Sequence, residues 1–218
     1  MRSGSPKHLT HGRRDRWDTT GILLEESLTA AGVSDLAAIF GNTRLVEVEI
    51  GTGKGTFLRA RAAARPELNF LGLELAPAYC QYAADRIRRS GLTNVRMLQA
   101  DAGAFFRHCL ADGSIWRVHV YFPDPWPKRR HHRRRLIQPE FLAHVRRVLK
   151  PGGQLIIVTD HRGYFSQIQA VLAHASGFAT VPFPTMSDQD HEMVGTNFER
   201  KYIAQGRAFY AAARMRYV

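Results

Sequence analysis

Four carboxylates, Glu49, Glu74, Asp101 and Asp124, each stand at the end of a short apolar segment. The first opens the run Glu49-Ile50-Gly51-Thr52-Gly53-Lys54-Gly55. Glycines there let the backbone turn tightly and approach a ligand with no Cβ in the way. Three nucleotide chemistries use such a loop, and spacing separates them. A phosphate-cradling P-loop needs Gly-Lys followed at once by Ser or Thr, whereas Lys54 is followed by Gly55. A dinucleotide fingerprint needs Gly or Ala where this chain has Thr56. Gly-x-Gly-x-Gly behind an acid suits a cationic ligand without phosphates, and S-adenosylmethionine is such a ligand. Glu74, 23 residues after Gly51, lies near the offset at which an acid meets ribose hydroxyls in doubly wound folds. Asp101 then falls within reach of an adenine amino group. The candidate cofactor contacts are therefore Glu49, Gly51, Gly53, Gly55, Glu74, Asp101 and Asp124.

Asp124 belongs to Tyr121-Phe122-Pro123-Asp124-Pro125-Trp126-Pro127-Lys128, a stretch with three prolines in five residues. Proline fixes φ and stiffens the chain, so Asp124, held on a rigid, aromatic-flanked loop, reads as part of a site rather than of an ordinary turn. Lys128 to Arg135 reads Lys-Arg-Arg-His-His-Arg-Arg-Arg, eight basic residues without an acid. The whole chain has 31 Lys and Arg against 19 Asp and Glu, a net charge of +12, and six of the excess cations sit in that one segment. Like charges this dense repel one another unless a polyanion lies near, so a nucleic-acid partner is expected. Trp126 is equally open to stacking on a base or to propping its own loop.

Elements that could position these groups alternate along the chain. Leu45 to Ile50 reads as a strand and leads through the glycines into a helix ending near Ala64. Strands over Asn69 to Leu75, Val95 to Gln99, Ile115 to Phe122 and Gln154 to Thr159 follow. Helices over Pro77 to Arg89, Ala102 to Leu110, Phe141 to Leu149 and Tyr164 to Ala175 lie between or after them. Alternation of this kind predicts a parallel sheet covered on both faces. Phe209 to Tyr217 alternates apolar with polar or small residues, the pattern of a late half-buried strand. Thr19 to Phe40 has helical spacing with a break at Gly32.

The chain of 218 residues fits one domain, expected over 17–218, preceded by a basic arm over 1–16 that reads as disordered. No continuous apolar run reaches membrane-spanning length, and Met1 to Arg16 lacks the apolar core of a secretory signal. Cys80 and Cys109 have no metal-like or redox spacing, which predicts reduced packing residues, no metal, and a cytoplasmic protein. Nothing in the pattern distinguishes a monomer from a homodimer, and no obligate protein partner is indicated.

Taken together, these motifs resemble the bacterial tRNA (guanine-N7-)-methyltransferases. The resemblance rests on the glycine loop, Gly72-Leu73-Glu74, and Phe122 to Lys128 with the basic run to Arg135. Thr159-Asp160 and Thr196-Asn197-Phe198-Glu199 with Lys201 complete it, so that it spans residues 44 to 218. It implies a class I S-adenosylmethionine-dependent methyltransferase fold. That fold is Rossmann-like, a mostly parallel seven-stranded sheet with helices on both faces and an antiparallel C-terminal strand. It implies methyl transfer to N7 of a guanine in tRNA, at position 46 of the variable loop. It implies that Asp124 is catalytic and that Lys128, Asp160, Thr196, Asn197, Phe198 and Glu199 contact guanine or tRNA. Arg130, His131, His132, Arg133, Arg134 and Arg135 would contact RNA. Pro127 stands where the family varies, and the arm has no counterpart motif. Two rival readings keep parts of the pattern: a small-molecule methyltransferase, which gives the basic run no purpose, and an RNA-binding module with a dead pocket, which gives the four acids none.

Overall fold

The computed structural model describes residues 17–25, 27, 32, 34–185 and 193–217, so the basic arm lies outside the described residues. Helices α1 (Leu36–Phe40), α2 (Thr56–Ala64), α3 (Pro77–Arg89), α4 (Ala102–His108), α5 (Pro139–Val148), α6 (Arg162–Ala173) and α7 (Asn197–Ile203) surround one sheet. Its strands are β1 (Val46–Ile50), β2 (Asn69–Glu74), β3 (Val95–Gln99), β4 (Ile115–Tyr121), β5 (Leu149–Thr159), β6 (Phe178–Thr180) and β7 (Tyr210–Arg216). The spatial order is β3-β2-β1-β4-β5-β7-β6. The first five strands are parallel, and β7 runs antiparallel to both β5 and β6.

The apolar strands follow from this order. β1 is buried along its whole length because helices cover both faces of the sheet. One cluster joins Val46, Val48 and Ile50 to Phe105, Phe106, Leu142, Val145 and Tyr164 on one face. A second joins Phe70, Val95 and Met97 to Leu58, Ala83 and Ile87 on the other. Strand order reverses between β1 and β4, and in open α/β sheets the ligand crevice opens at the carboxyl ends of strands flanking such a reversal.

Helical spacing over Thr19 to Phe40 predicts one long helix broken at Gly32, and the structure differs. Residues 20–22 form a turn, Leu23 bridges to Met97, Ser27 is helical, and Leu36–Phe40 forms a helix. Met97 donates to the Ile22 carbonyl at 2.8 Å and Leu24 donates to the Met97 carbonyl at 2.8 Å. The open edge of β3 needs partners for its backbone groups, and burying Ile22 against the α3 face rewards the extended form. β5 also starts earlier than Gln154, because Pro151-Gly152-Gly153 is carried within the strand. β6 and α7, short and flanked by irregular chain, carry no periodicity long enough to detect.

Candidate active site

The loop after β1 is stitched to the end of β2. Gly51 N–H donates to the Leu73 carbonyl at 2.8 Å, and Gly53 N–H donates to Glu74 Oε2 at 2.7 Å. Gly51, Gly53 and Gly55 all have positive φ, at 75°, 55° and 69°, a region in which side-chain-bearing residues are strained. Gly55 is doubly constrained, because a Cβ there would meet the Ala83 Cβ at 3.0 Å. Arg86 of α3 holds the Lys54 carbonyl at 2.7 Å from outside.

Around this loop opens a cleft of about 910 Å³, within the size range of small-molecule sites. Its lining brings together Glu49, Gly51, Gly53, Glu74, Asp101 and Asp124 from the ends of four strands. Thr196, Asn197, Phe198 and Lys201 enter from the far end of the sequence. Glu74 uses one oxygen on Gly53 and the other on Ala76 N–H at 2.9 Å, leaving further lone pairs on both. Asp101 caps α4, accepting from Ala104 N–H at 2.8 Å. Glu49 is buried, and its Oε2 has no hydrogen-bond partner. Burial and the neighbouring charge of Glu74 push its carboxyl well above the ordinary range, only partly offset by the Leu58 N–H. An orphaned buried carboxylate beside a glycine-lined cleft fits a ligand that carries positive charge.

Asp124 is exposed on a loop whose neighbours Phe122 and Trp126 have φ of 51° and 41°. Such values cost non-glycine residues on the order of 1–2 kcal/mol each and persist only where packing enforces them. Phe122 is enforced by the rings of Phe198, Tyr202 and Phe209, at centroid distances of 6.3, 5.7 and 5.6 Å. Trp126 lies against the His131 ring at 5.8 Å, with the Arg134 guanidinium 5.0 Å above it. α7 therefore braces the Asp124 loop, and Asn197 Nδ2 ties it to Thr56 Oγ1 at 2.7 Å.

Several expected site residues are placed differently. Thr196 Oγ1 accepts from Glu199 N–H at 3.0 Å, capping α7. Glu199 is fully buried and accepts backbone N–H groups of Met193, Val194 and Gly195, the last at 2.7 Å. Both its oxygens are engaged, so the expected contact to guanine gives way to a role in shaping the loop. The spacing Thr-x-x-Glu is that of a capping box and signals this in the sequence. Arg135 is turned inward, donating to the Pro125 carbonyl at 2.8 Å and lying 4.8 Å over the Tyr164 ring. It anchors the Asp124 loop, and a phosphate contact for it gives way as well. Residues Arg129–Arg134 form a 3-10 turn in which Arg129, Arg130, Arg133 and Arg134 are exposed, with His131 and His132 half-buried. Lys128 precedes that turn, exposed and outside the cleft lining. Asp160 follows β5, also outside the lining, and is paired with Arg207, which stacks 4.0 Å over Tyr202.

One cluster escapes any sequence pattern. Glu47 lies buried on the same face of β1 as Glu49 and meets Arg61, Arg117 and His119 at 3.3, 3.2 and 2.9 Å. Burial raises its carboxyl, but the His119 hydrogen bond and the charges of His119, Arg61 and Arg117 outweigh that and bring it down to about 2. Burial lowers His119, opposed by its hydrogen bond to Glu47 and by the charge of Glu47. His119 Nδ1 is 2.7 Å from the Tyr121 hydroxyl and Nε2 is 2.9 Å from Glu47 Oε2.

A seven-stranded sheet of this order, with an acid-lined cleft at the strand reversal, defines a class I methyltransferase fold. A methyltransferase family model, Methyltransf_4, matches residues 43–212. A solved structure of a SAM-dependent methyltransferase from Aquifex aeolicus aligns with TM-score 0.54 at 16% identity, covering 83% of this chain and 87% of that one. Two curated relatives are each named tRNA (guanine-N(7)-)-methyltransferase. The Nitrosococcus oceani protein is 38% identical over 89% of this chain and 79% of its own length. The Geobacillus kaustophilus protein is 38% identical over 82% of each chain. The chain belongs to the tRNA (guanine-N7-)-methyltransferase family.

Proposed function

We propose that the protein transfers a methyl group from S-adenosylmethionine to N7 of a guanine in tRNA, at position 46 of the variable loop, in the cytoplasm. The observation that carries this reading is the placement of the acid-lined cleft beside exposed arginines of the 129–134 turn, which pair with no carboxylate among the described residues. The names of the two curated relatives support guanine N7 of tRNA as the target.

Glu49, the glycine loop and Glu74 would hold the methyl donor, with Asp101 toward its adenine. When bound, the donor supplies an electrophilic methyl on a sulfonium. Guanine N7 has a free lone pair and no proton at neutral pH, so the site needs no general base. What it needs is positioning and negative charge facing a ring that becomes cationic. Asp124 supplies that charge from its stiff loop and is the catalytic group. Asp160 accepts from the guanine N–H edge, and Lys128 anchors O6 or a phosphate. Phe198, 51% exposed and lining the cleft, offers a flat apolar surface against which an extruded base can stack. Thr196, Asn197 and Glu199 serve by holding α7, the element that carries Phe198. The exposed arginines supply phosphate contacts that are independent of base sequence.

The test is to treat unmodified tRNA with the purified protein, digest it, and identify the methylated nucleoside and its position by mass. 7-Methylguanosine at position 46 is expected. Asp124→Ala is expected to lower kcat by about 100-fold or more with tRNA affinity little changed. Near-normal turnover in that variant would remove Asp124 from catalysis.

A further inference from the structure

Two glutamates of β1, separated by one residue and pointing to the same face, live under opposite conditions. Glu47 is 1% exposed and Glu49 is 3% exposed, so both are cut off from water to the same degree. Glu47 is surrounded by two guanidinium groups and an imidazole N–H. Glu49 has no cation paired with it among the described residues, and its Oε2 accepts nothing. The groups facing it are the Glu74 carboxylate on β2, the neutral Tyr121 on β4 and the Leu58 backbone N–H at the start of α2. The Tyr121 hydroxyl is engaged with His119 Nδ1 at 2.7 Å. Arg61 and Arg117 are committed to Glu47. A buried carboxylate with one ordinary hydrogen bond, facing another carboxylate, cannot stay ionised at low cost.

We propose that Glu49 is a proton-exchanging contact: protonated in the free protein, it releases that proton when the cationic end of the methyl donor is seated against it. The inference rests on the cofactor reading above. It makes donor binding tighter as pH rises, because the charge that Glu49 needs as a partner arrives with the ligand. Selectivity follows too, since a neutral nucleoside gives Glu49 no reason to ionise and would bind without proton release.

Calorimetric titration of the intact protein with S-adenosylmethionine, in buffers of differing ionisation enthalpy, counts the protons released. Between pH 5.5 and 7, below the range of about 7.7–8.0 where an α-amino group loses its own proton, about one proton is expected per donor bound. The dissociation constant is expected to fall by up to about tenfold per pH unit. S-adenosylhomocysteine keeps the ammonium and lacks the sulfonium charge, so equal release with both ligands assigns the ammonium, and release with S-adenosylmethionine alone assigns the sulfonium. Binding of S-adenosylmethionine with no proton exchange and no pH slope would overturn the inference while leaving the cofactor reading intact; absence of binding would overturn both.

A second readout needs no ligand. A carboxyl raised in the folded state costs stability as pH climbs from its unfolded value toward its folded one. Glu49→Gln is therefore expected to raise Tm relative to the wild type by an amount that grows from pH 5 to pH 8. A Tm difference that is flat with pH would contradict the proposal.

Discussion

Single residues in this protein take their roles from what surrounds them more than from their type. Glu47 and Glu49 have the same side chain on the same strand face, yet one is held ionised by cations and the other is driven toward neutrality. For Glu47 the consequence is structural. Its carboxyl, lowered from 4.5 to about 2, contributes stability that is present above the unfolded value and lost as pH falls through the folded one. Acid unfolding followed by circular dichroism is expected to steepen between those two values and to lose that feature in Glu47→Gln. Glu47→Ala is expected to cost about 3–5 kcal/mol, since it strands Arg61 and Arg117 as half-buried charges without their partner. A denaturant midpoint close to that of the wild type would contradict this. In sequence, Glu47 was indistinguishable from the polar half of an alternating strand. Only the arrival of Arg61 from α2 and of Arg117 and His119 from β4 makes it a buried ionic centre.

At the level of elements, the catalytic loop depends on a helix from the far end of the chain. α7 is only seven residues long, too short to be stable by its own propensity. It persists through its Thr196 cap, the Glu199 bridge to the preceding loop and the packing of its rings on Phe122. Thr196→Ala is expected to lower stability by about 1 kcal/mol and to reduce turnover through the Asp124 loop, with Thr196→Ser restoring both. Thermal melts and steady-state kinetics on the three proteins check it, and an inactive Thr196→Ser variant of normal Tm would point instead to direct contact with substrate. The motif Thr-Asn-Phe-Glu was legible, but its meaning was split. Phe198 lines the cleft, whereas Glu199 points into the protein, because a helix turn sends successive side chains to different sides.

For the whole molecule, six cations, equal to half of the net charge of +12, sit in residues 128–135, and Arg134 of that run lines the cleft. If the 129–134 turn meets phosphate, tRNA affinity falls linearly with salt on logarithmic axes, each contact adding roughly 0.7–0.9 to the slope. Arg130→Ala with Arg133→Ala is expected to flatten that slope by between one and two such increments. Arg135→Ala is expected to leave the slope unchanged and to lower Tm instead, because its guanidinium is spent on Pro125 and Tyr164. Filter-binding titrations over a salt series separate these outcomes. Sequence gave the whole run one character; the chain's turn into α5 divides it, exposing 129, 130, 133 and 134 and burying 135.

What the sequence determined by itself was the alternation of strand and helix, the glycine loop, and the acids at the strand ends. These are properties of local spacing: a period of 2 or 3.6, a glycine where φ must be positive, a proline where it must not vary. Because parallel strands in such a sheet all expose their carboxyl ends on one side, local order was enough to predict that Glu49, Glu74, Asp101 and Asp124 meet at one cleft. Tertiary structure alone decided which polar side chains were available once there. Availability depends on partners that the fold brings up: Arg207 to Asp160, Gly195 to Glu199, Pro125 to Arg135, and, among the described residues, no paired cation to Glu49. Burial and pairing are settled by three-dimensional neighbours, and no spacing along the chain encodes them.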